Sequence, residues 1–511
     1  MEQQKAGLHT VVARDGETHG FIRIDAEIAD FTLAALNSHK VPDVSFVYFC
    51  DVDDAGHIYG ALSPQYQQAL ARVDRHVARI RDAVLNRAAA NGEEWLLVVV
   101  ADHGHVDARR HGGDLSPWPG RMNWPDCCSP RRPRTADHPQ GRKDSMNTIP
   151  ETIDTPAILI DREVLERNIT RMAAGLRDKG LALRPHVKTH KIPQIASLQL
   201  EAGAIGLTVA TIGEAEVFAA HGATDLFIAY PLWIDARKAE RLRSLSRTVR
   251  VSFGADSPEA VREAGRQLRA DAGRLSVLVE IDSGHHRSGV RSEDAAQVAD
   301  AARDAGFQIA GVFTFPGHSY APGMPVAAVD DEGAALARAA ALLQEAGHDV
   351  AVLSGGSTPT ALLTGASVAT ELRPGVYVFG DAQQLELGRC SLEDVALTVA
   401  ATVVSRHEGD GDVPRRVVLD AGSKMLGGDR PAWATGFGRV LEENGARVSA
   451  LSEHHSTVTW PEELPLPSLG ERLRLIPNHV CVAVNLVDEV AVVSDGSVVD
   501  RWAVAARGRN G

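Results

Sequence analysis

The chain has 511 residues, 44% of them hydrophobic and 23% charged, the profile of a globular protein with two or three domains. Its formal net charge of −14 argues against nucleic acid as the main partner, because phosphate binding calls for a basic face. No apolar stretch has the length of a membrane span, the start Met1-Glu2-Gln3-Gln4-Lys5 lacks a secretory core, and the five irregularly spaced cysteines fit a reducing compartment. The expectation is a cytoplasmic protein without membrane or nucleic-acid partners.

Residues 1–116 carry two acid/histidine clusters, each closing an apolar run. The first is Val47-Tyr48-Phe49-Cys50-Asp51-Val52-Asp53-Asp54-Ala55-Gly56-His57. The second is Val98-Val99-Val100-Ala101-Asp102-His103-Gly104-His105, followed by His111-Gly112-Gly113. Asp53, His57, Asp102 and His103 have the donor chemistry of hard-metal ligands. The pattern resembles the later part of the alkaline phosphatase superfamily, in its nucleotide pyrophosphatase/phosphodiesterase branch. The resemblance implies an earlier strand with a Ser/Thr nucleophile and another aspartate, and the chain begins too late to hold them. The expectation is an incomplete α/β fragment without phosphodiesterase activity. Met146 is an expected alternative start, with residues 1–145 a fusion remnant or an over-extended reading frame.

Residues 117–150 are rich in proline and arginine and nearly free of aliphatic side chains. Such a segment cannot bury a core and is expected to be a disordered linker.

From residue 151 the texture is regular. A helix is predicted at Arg162–Lys179 with Asp161 as its N-cap. Apolar, β-branched runs follow at Leu181–Val187, Gly206–Ala210, Asp225–Ala229, Thr248–Phe253, Leu275–Ile281, Ile309–Phe315, Val350–Leu353 and Val376–Phe379. Their near-continuous apolarity suits strands buried on both faces. Helical stretches such as Ser257–Ala272 and Glu293–Ala305 lie between them. Eight such units predict a (β/α)8 barrel over residues 151–392, with its chemistry at the C-terminal ends of the strands.

The first strand ends in Arg184-Pro185-His186-Val187-Lys188-Thr189-His190-Lys191. In a strand His186, Lys188 and His190 share a face. Two imidazoles beside the amine would lower its pKa, which suits a Schiff-base lysine; the alternative is a basic strand end at the surface. The fifth strand ends in Asp282-Ser283-Gly284-His285-His286-Arg287-Ser288-Gly289 and the sixth in Gly317-His318-Ser319-Tyr320. Ser354-Gly355-Gly356-Ser357-Thr358-Pro359-Thr360 follows the seventh, as a phosphate-binding loop or a small-residue turn. Arg373-Pro374-Gly375-Val376-Tyr377 opens the eighth, where Arg373 meets a ring nitrogen or an anion, or forms a surface salt bridge.

Residues 393–511 alternate strands and turns, with strands predicted at Ala396–Val404, Arg415–Leu419, Val480–Val484 and Val490–Val493. This predicts a β-rich domain, joined by the strand Ala157–Ile160. In Pro477-Asn478-His479-Val480-Cys481, the histidine and cysteine sit two apart at a predicted strand start. They would point to one face as a zinc-favouring pair, or as a structural histidine beside a buried cysteine.

Taken in order, these motifs resemble the D-threonine aldolase and D-serine dehydratase family over about Thr152–Ala506. The family consists of fold-type III pyridoxal phosphate (PLP) enzymes similar to alanine racemase in the barrel. The resemblance implies Lys188 as the Schiff-base lysine, from which a D-amino acid substrate forms an external aldimine. It implies Arg287, Tyr320, Ser357, Thr358, Arg373, Gly375, Val376 and Tyr377 at the cofactor, with Arg373 near the pyridine nitrogen. His479 and Cys481 would hold a divalent metal, zinc or manganese. The His–Cys pair is more like zinc-dependent D-serine dehydratases, since D-threonine aldolases carry histidine and aspartate there. Two positions depart from the pattern. Ser452-Glu453-His454-His455-Ser456 replaces a Ser-Glu-Glu-His-Gly-like segment, and Phe313 stands where a tyrosine is expected. The implied activity is a lyase on D-β-hydroxy amino acids, dehydratase or aldolase, working as a homodimer.

Three rival readings fit less well. An amino acid racemase on this barrel needs a tyrosine in the C-terminal domain, and no tyrosine follows Glu393. A non-catalytic PLP-homeostasis barrel lacks a C-terminal β-domain. A phosphodiesterase-like hydrolase built on the N-terminal region lacks its nucleophile.

Overall fold

The computed structural model describes residues 21–38, 47, 49, 51–52, 64–93, 95, 149–365, 368–410 and 413–511. The chain divides into two compact units, Met1–Arg134 and Thr135–Gly511. In the first, helices Phe21–Leu36 and Pro64–Asn91 meet around Leu36, Ile80 and Val84. Asp51 accepts a forked pair of bonds from Arg72, at 2.6 and 3.0 Å. The expected metal ligands Asp53, His57, Asp102 and His103 lie outside the described residues, as does nearly all of the expected linker.

In the second unit, eight parallel strands form a (β/α)8 barrel: Ala182–Leu183, Leu207–Val209, Asp225–Pro231, Arg250–Ala255, Leu275–Glu280, Gln308–Phe313, Val352–Gly355 and Glu371–Leu372. The first strand pairs with the eighth, and an isolated bridge from His186 to Thr208 closes the ring. Phe227, Leu278 and Phe313 fill the interior, with the two phenylalanine rings edge to face at 5.1 Å. A Cβ at Gly254 would lie 2.6 Å from the Phe313 ring, so the fourth strand needs glycine there. Helix Arg162–Arg177 starts at Asp161, whose carboxylate accepts the Val164 N–H at 2.9 Å, as the capping pattern predicts.

Three predicted strands are corrected. The first barrel strand stops at Leu183, and Val187–Thr189 is a 3-10 turn, so His186, Lys188 and His190 do not alternate along a strand. The eighth strand is Glu371–Leu372; Val376–Val378 is a 3-10 turn that follows Pro374, which has no N–H for a ladder. Val480–Val484 belongs to helix Val480–Asn485, whose buried residues Val480, Ala483 and Val484 follow a helical rather than a two-residue period.

The C-terminal residues form an antiparallel β-barrel. Leu397–His407, Arg416–Leu419, Ser456–Thr459, Arg447–Leu451, Gly438–Val440 and Arg472–Pro477 pair in a closed ring, which leaves those strands no free edge. Ala157–Asp161 joins this sheet as predicted, antiparallel to Leu397–His407 and parallel to Glu489–Ser494. Among the described residues no helix is long and apolar enough to cross a membrane.

Candidate active site

Lys188 stands on the 3-10 turn at the C-terminal end of the first barrel strand. Its side chain is exposed to solvent, although many protein atoms lie around the amine. The amine lies 5.9 Å from the centre of the Phe315 ring. Desolvation by the surrounding protein lowers its pKa, and the Arg287 and Arg373 guanidiniums push the same way against the fields of Cys481 and Glu214. The flanking histidines are not the main cause. His190 turns away, its Nε2 3.2 Å from Gln199 Oε1 and its Nδ1 accepting the Ile192 N–H, and burial holds its pKa down to about 4. His186 stays neutral for the same reason, with Lys188 and Arg373 adding to the effect, and its Nδ1 is buried without a partner.

Two loops converge on the Lys188 turn. Gly375 leaves room for Thr189, since a Cβ there would sit 2.5 Å from the Thr189 hydroxyl. Val376 and Gly375 enter a 3-10 turn, where N–H groups have no acceptor within the turn. The Tyr377 N–H donates to the Thr358 hydroxyl at 3.2 Å, which ties this loop to the one after the seventh strand. There Gly356 adopts φ +83° and Ser357 and Thr360 form a capping box. The Ser357 hydroxyl also meets that of Ser319 at 2.9 Å, and the Tyr320 phenol bonds at Thr358. Burial raises the Tyr320 pKa, so the phenol is neutral. The Tyr377 phenol instead accepts from Gln199 Nε2 at 2.9 Å, directed into the protein shell.

Arg373 is buried rather than on the surface. It donates to the Thr314 carbonyl at 2.6 Å and to the Ser354 hydroxyl, and stacks over Phe313 and Phe227 at 5.3 and 5.6 Å. Burial draws its pKa down to about 10, against the fields of Glu371, Glu332 and Glu280. Arg287 is exposed, 5.1 Å from the Phe315 ring centre. Glu280 has one buried oxygen without a partner, and burial raises its pKa. The Phe313 ring lies in the barrel interior beneath Arg373. His454 lies on a solvent-facing turn beside Lys424 and Glu453.

His479 caps the helix that carries Cys481, and the two side chains are in hydrogen-bond contact. Asp429 takes the other side of the imidazole, Oδ2 to Nδ1 at 2.8 Å. The Cys481 field and the Asp429 bond outweigh burial and raise the His479 pKa to about 11. Burial pushes the Cys481 thiol up, but His479 and Thr189 bring it below its ordinary value. The thiol donates to the Thr189 hydroxyl at 3.4 Å, so the His–Cys pair adjoins the Lys188 turn. Among the described residues no cluster of three or more His, Cys, Asp or Glu is placed to hold a metal ion.

Thr189, Asp429 and Glu332 were not foreseen. Glu332 is buried behind the seventh-strand loop, where it accepts the Gly356 N–H at 2.9 Å. None of the three carries a local sequence signal, because each meets its partner across the fold.

Residues 160–383 match the alanine racemase N-terminal domain model, and 396–493 match a putative serine dehydratase domain. The D-threo-3-hydroxyaspartate dehydratase of Delftia sp. is 35% identical over 377 residues, covering 68% of this chain and 96% of that protein. The chain belongs to the D-threonine aldolase and D-serine dehydratase family. Another member, the D-threonine aldolase of Arthrobacter sp., is 34% identical and covers 70% of this chain and 93% of its own length. The solved structure of the Delftia enzyme superposes with a TM-score of 0.63 at 34% identity, over 69% of this chain and 97% of the other. A D-threo-3-hydroxyaspartate dehydratase with a cysteine changed to alanine has been solved in a metal-free form. Residues 10–198 also match a type I phosphodiesterase/nucleotide pyrophosphatase model.

The residues around Lys188 fit the cofactor of this PLP-dependent family. They offer an accessible amine of lowered pKa and an unpartnered His186 Nδ1. The His479–Cys481 pair fits a divalent metal by donor type, with Asp429 orienting the imidazole as a carboxylate commonly does behind a metal-bound histidine.

Proposed function

We propose that this chain is a PLP-dependent dehydratase of D-β-hydroxy amino acids, with Lys188 as the cofactor lysine and His479 and Cys481 as ligands of zinc. The observation that supports the reading is the contact from Cys481 to Thr189, which sets the His479–Cys481 pair beside the Lys188 turn. Ser357, Thr358, Gly375 and Val376 would hold the cofactor phosphate, with Tyr320 and Tyr377 behind them. Arg373 and Arg287 would supply positive charge, Arg373 near the ring nitrogen. When bound, PLP supplies an electron sink for bond breaking at Cα. A metal held by His479 and Cys481 would supply Lewis acidity.

The chain's own residues then have separate tasks. The Lys188 amine, held at lowered pKa, is suited to taking the Cα proton. A guanidinium at Arg373 keeps its proton and does not pass one to a ring nitrogen. Loss of the β-hydroxyl as water leaves an enamine, which hydrolyses to an oxo acid and ammonia. Aldol cleavage is the second reading, favoured by the 34% identity to the Arthrobacter D-threonine aldolase. The reading extends to a cytoplasmic homodimer, with manganese as the alternative metal. Its domains would be 1–116, a linker 117–150, a barrel 151–392 and a metal-binding β-domain 393–511.

The test uses purified full-length protein with PLP and zinc. Visible absorption of the lysine-bound cofactor is expected, and Lys188→Ala abolishes it. D-serine, D-threonine and D-threo-3-hydroxyaspartate are then supplied. Oxo acid and ammonia indicate the dehydratase; glycine and an aldehyde indicate the aldolase. Absence of turnover on all three, with zinc or manganese present, overturns the lyase reading.

A further inference from the structure

The octapeptide holds a second lysine that neither cofactor nor metal binding uses. Lys191 is buried, and its backbone adopts φ 56°, a left-handed conformation that costs a non-glycine residue energy. Its N–H donates to the Val187 carbonyl at 2.8 Å, which closes the turn bearing Lys188. Its ammonium has three donors and meets three acceptors from three segments. These are Glu214 Oε1 at 3.3 Å, Asn485 Oδ1 at 2.9 Å and Asn510 Oδ1 at 3.2 Å. Glu214 is itself fixed, with its other oxygen accepting the Ala210 N–H at 2.7 Å after the second barrel strand. Asn485 is the last residue of the helix that carries Cys481. The Lys191 carbonyl accepts the Ala506 N–H at 3.1 Å, a further tie to the C-terminal region.

A buried ammonium is costly unless fully paired, and a strained backbone persists only where its surroundings enforce it. Here both features sit at the junction between the Lys188 turn and the Cys481 helix. We propose that Lys191 is a positioning residue that sets the spacing between Lys188 and the His479–Cys481 pair, and so couples cofactor binding to metal binding. This rests on the proposed function. Lys191 touches neither group; it acts by holding the turn and the helix in one register.

The experiment compares the wild-type full-length chain with Lys191→Met, Asn485→Leu and the double variant. Cofactor affinity is read from visible absorption during PLP titration. Zinc affinity is read by chelator competition, with and without PLP. In the wild type each ligand should tighten the other by the same factor, about fivefold or more. Lys191→Met should weaken zinc binding about tenfold, as loss of an outer-shell partner does, and bring the coupling factor to one. Asn485→Leu should reproduce the effect, and the double variant should add nothing. A Lys191→Met protein with wild-type affinities and coupling overturns the inference, as do losses that multiply in the double variant. If Lys191→Met does not fold, Asn485→Leu alone decides, and unchanged coupling overturns the proposal. A wild-type chain with no cofactor absorption overturns the proposed function instead.

Discussion

The Cys481 thiol donates to the Thr189 hydroxyl across 3.4 Å, joining positions 292 residues apart. Thr189 follows Lys188 in the chain and also fills the space that Gly375 leaves open. One small hydroxyl residue next to Lys188 in the chain thus adjoins the thiol and a candidate phosphate loop.

Asp429 should control metal affinity without touching the metal. Asp429→Asn weakens the acceptor at His479 Nδ1 and frees the ring to turn. The expected result is a loss of about 10- to 100-fold in zinc affinity by chelator competition, with cofactor absorption retained.

Gly375→Ala should disturb the cofactor more than the fold. The new Cβ would lie 2.5 Å from the Thr189 hydroxyl and 3.0 Å from the His186 carbonyl, so the Lys188 turn must move. Overpacking of this kind costs roughly 1–3 kcal/mol. Cofactor affinity is expected to fall about tenfold or more in an absorption titration.

Arg184→Leu should destabilise the barrel. Arg184 is buried and bonds Glu371 at 2.8 Å and Asp225 at 2.7 Å, across the first, eighth and third strands. Removing it leaves the buried Glu371 carboxylate with only the Ser354 hydroxyl and Asp225 with Arg250, a loss of about 3–5 kcal/mol by denaturant unfolding. A triple variant that also replaces Glu371 and Asp225 by amides should recover part of it.

Glu332 should make stability depend on pH. Burial raises its pKa from 4.5 to about 7, against the Gly356 N–H bond and the Arg373 field. A carboxyl whose folded pKa lies above its unfolded value binds more protons in the folded state between those two values. Its contribution is therefore fully present below about pH 4.5 and is lost as pH rises through about 7. Glu332→Gln keeps an acceptor for Gly356 and should remove that slope. At pH 8 the variant should be more stable by up to about 3 kcal/mol, read from denaturant midpoints.

Parts of the site were legible in the linear chain because their signals are local. The Asp161 cap depends on a bond three residues on. The barrel follows from repeated buried runs between helices, and Lys188 does lie beyond the end of the first strand. The misread runs share one cause. Val376–Phe379 and Val480–Val484 are short and apolar throughout, and periodicity cannot separate a buried strand from a buried helical turn at that length. The Val480 run became helical because tertiary packing buries Val480, Ala483 and Val484 together.

By itself the sequence determined the barrel, the β-rich partner domain and the residue types of the site, since propensity, period and short motifs act over neighbouring positions. Only the tertiary structure decided which of them meet. It left Lys188 exposed and Lys191 caged and buried three residues later, and it brought Asp429 to His479 and Thr189 to Cys481. Those contacts depend on closure of both barrels, which joins segments whose separation along the chain leaves no local trace.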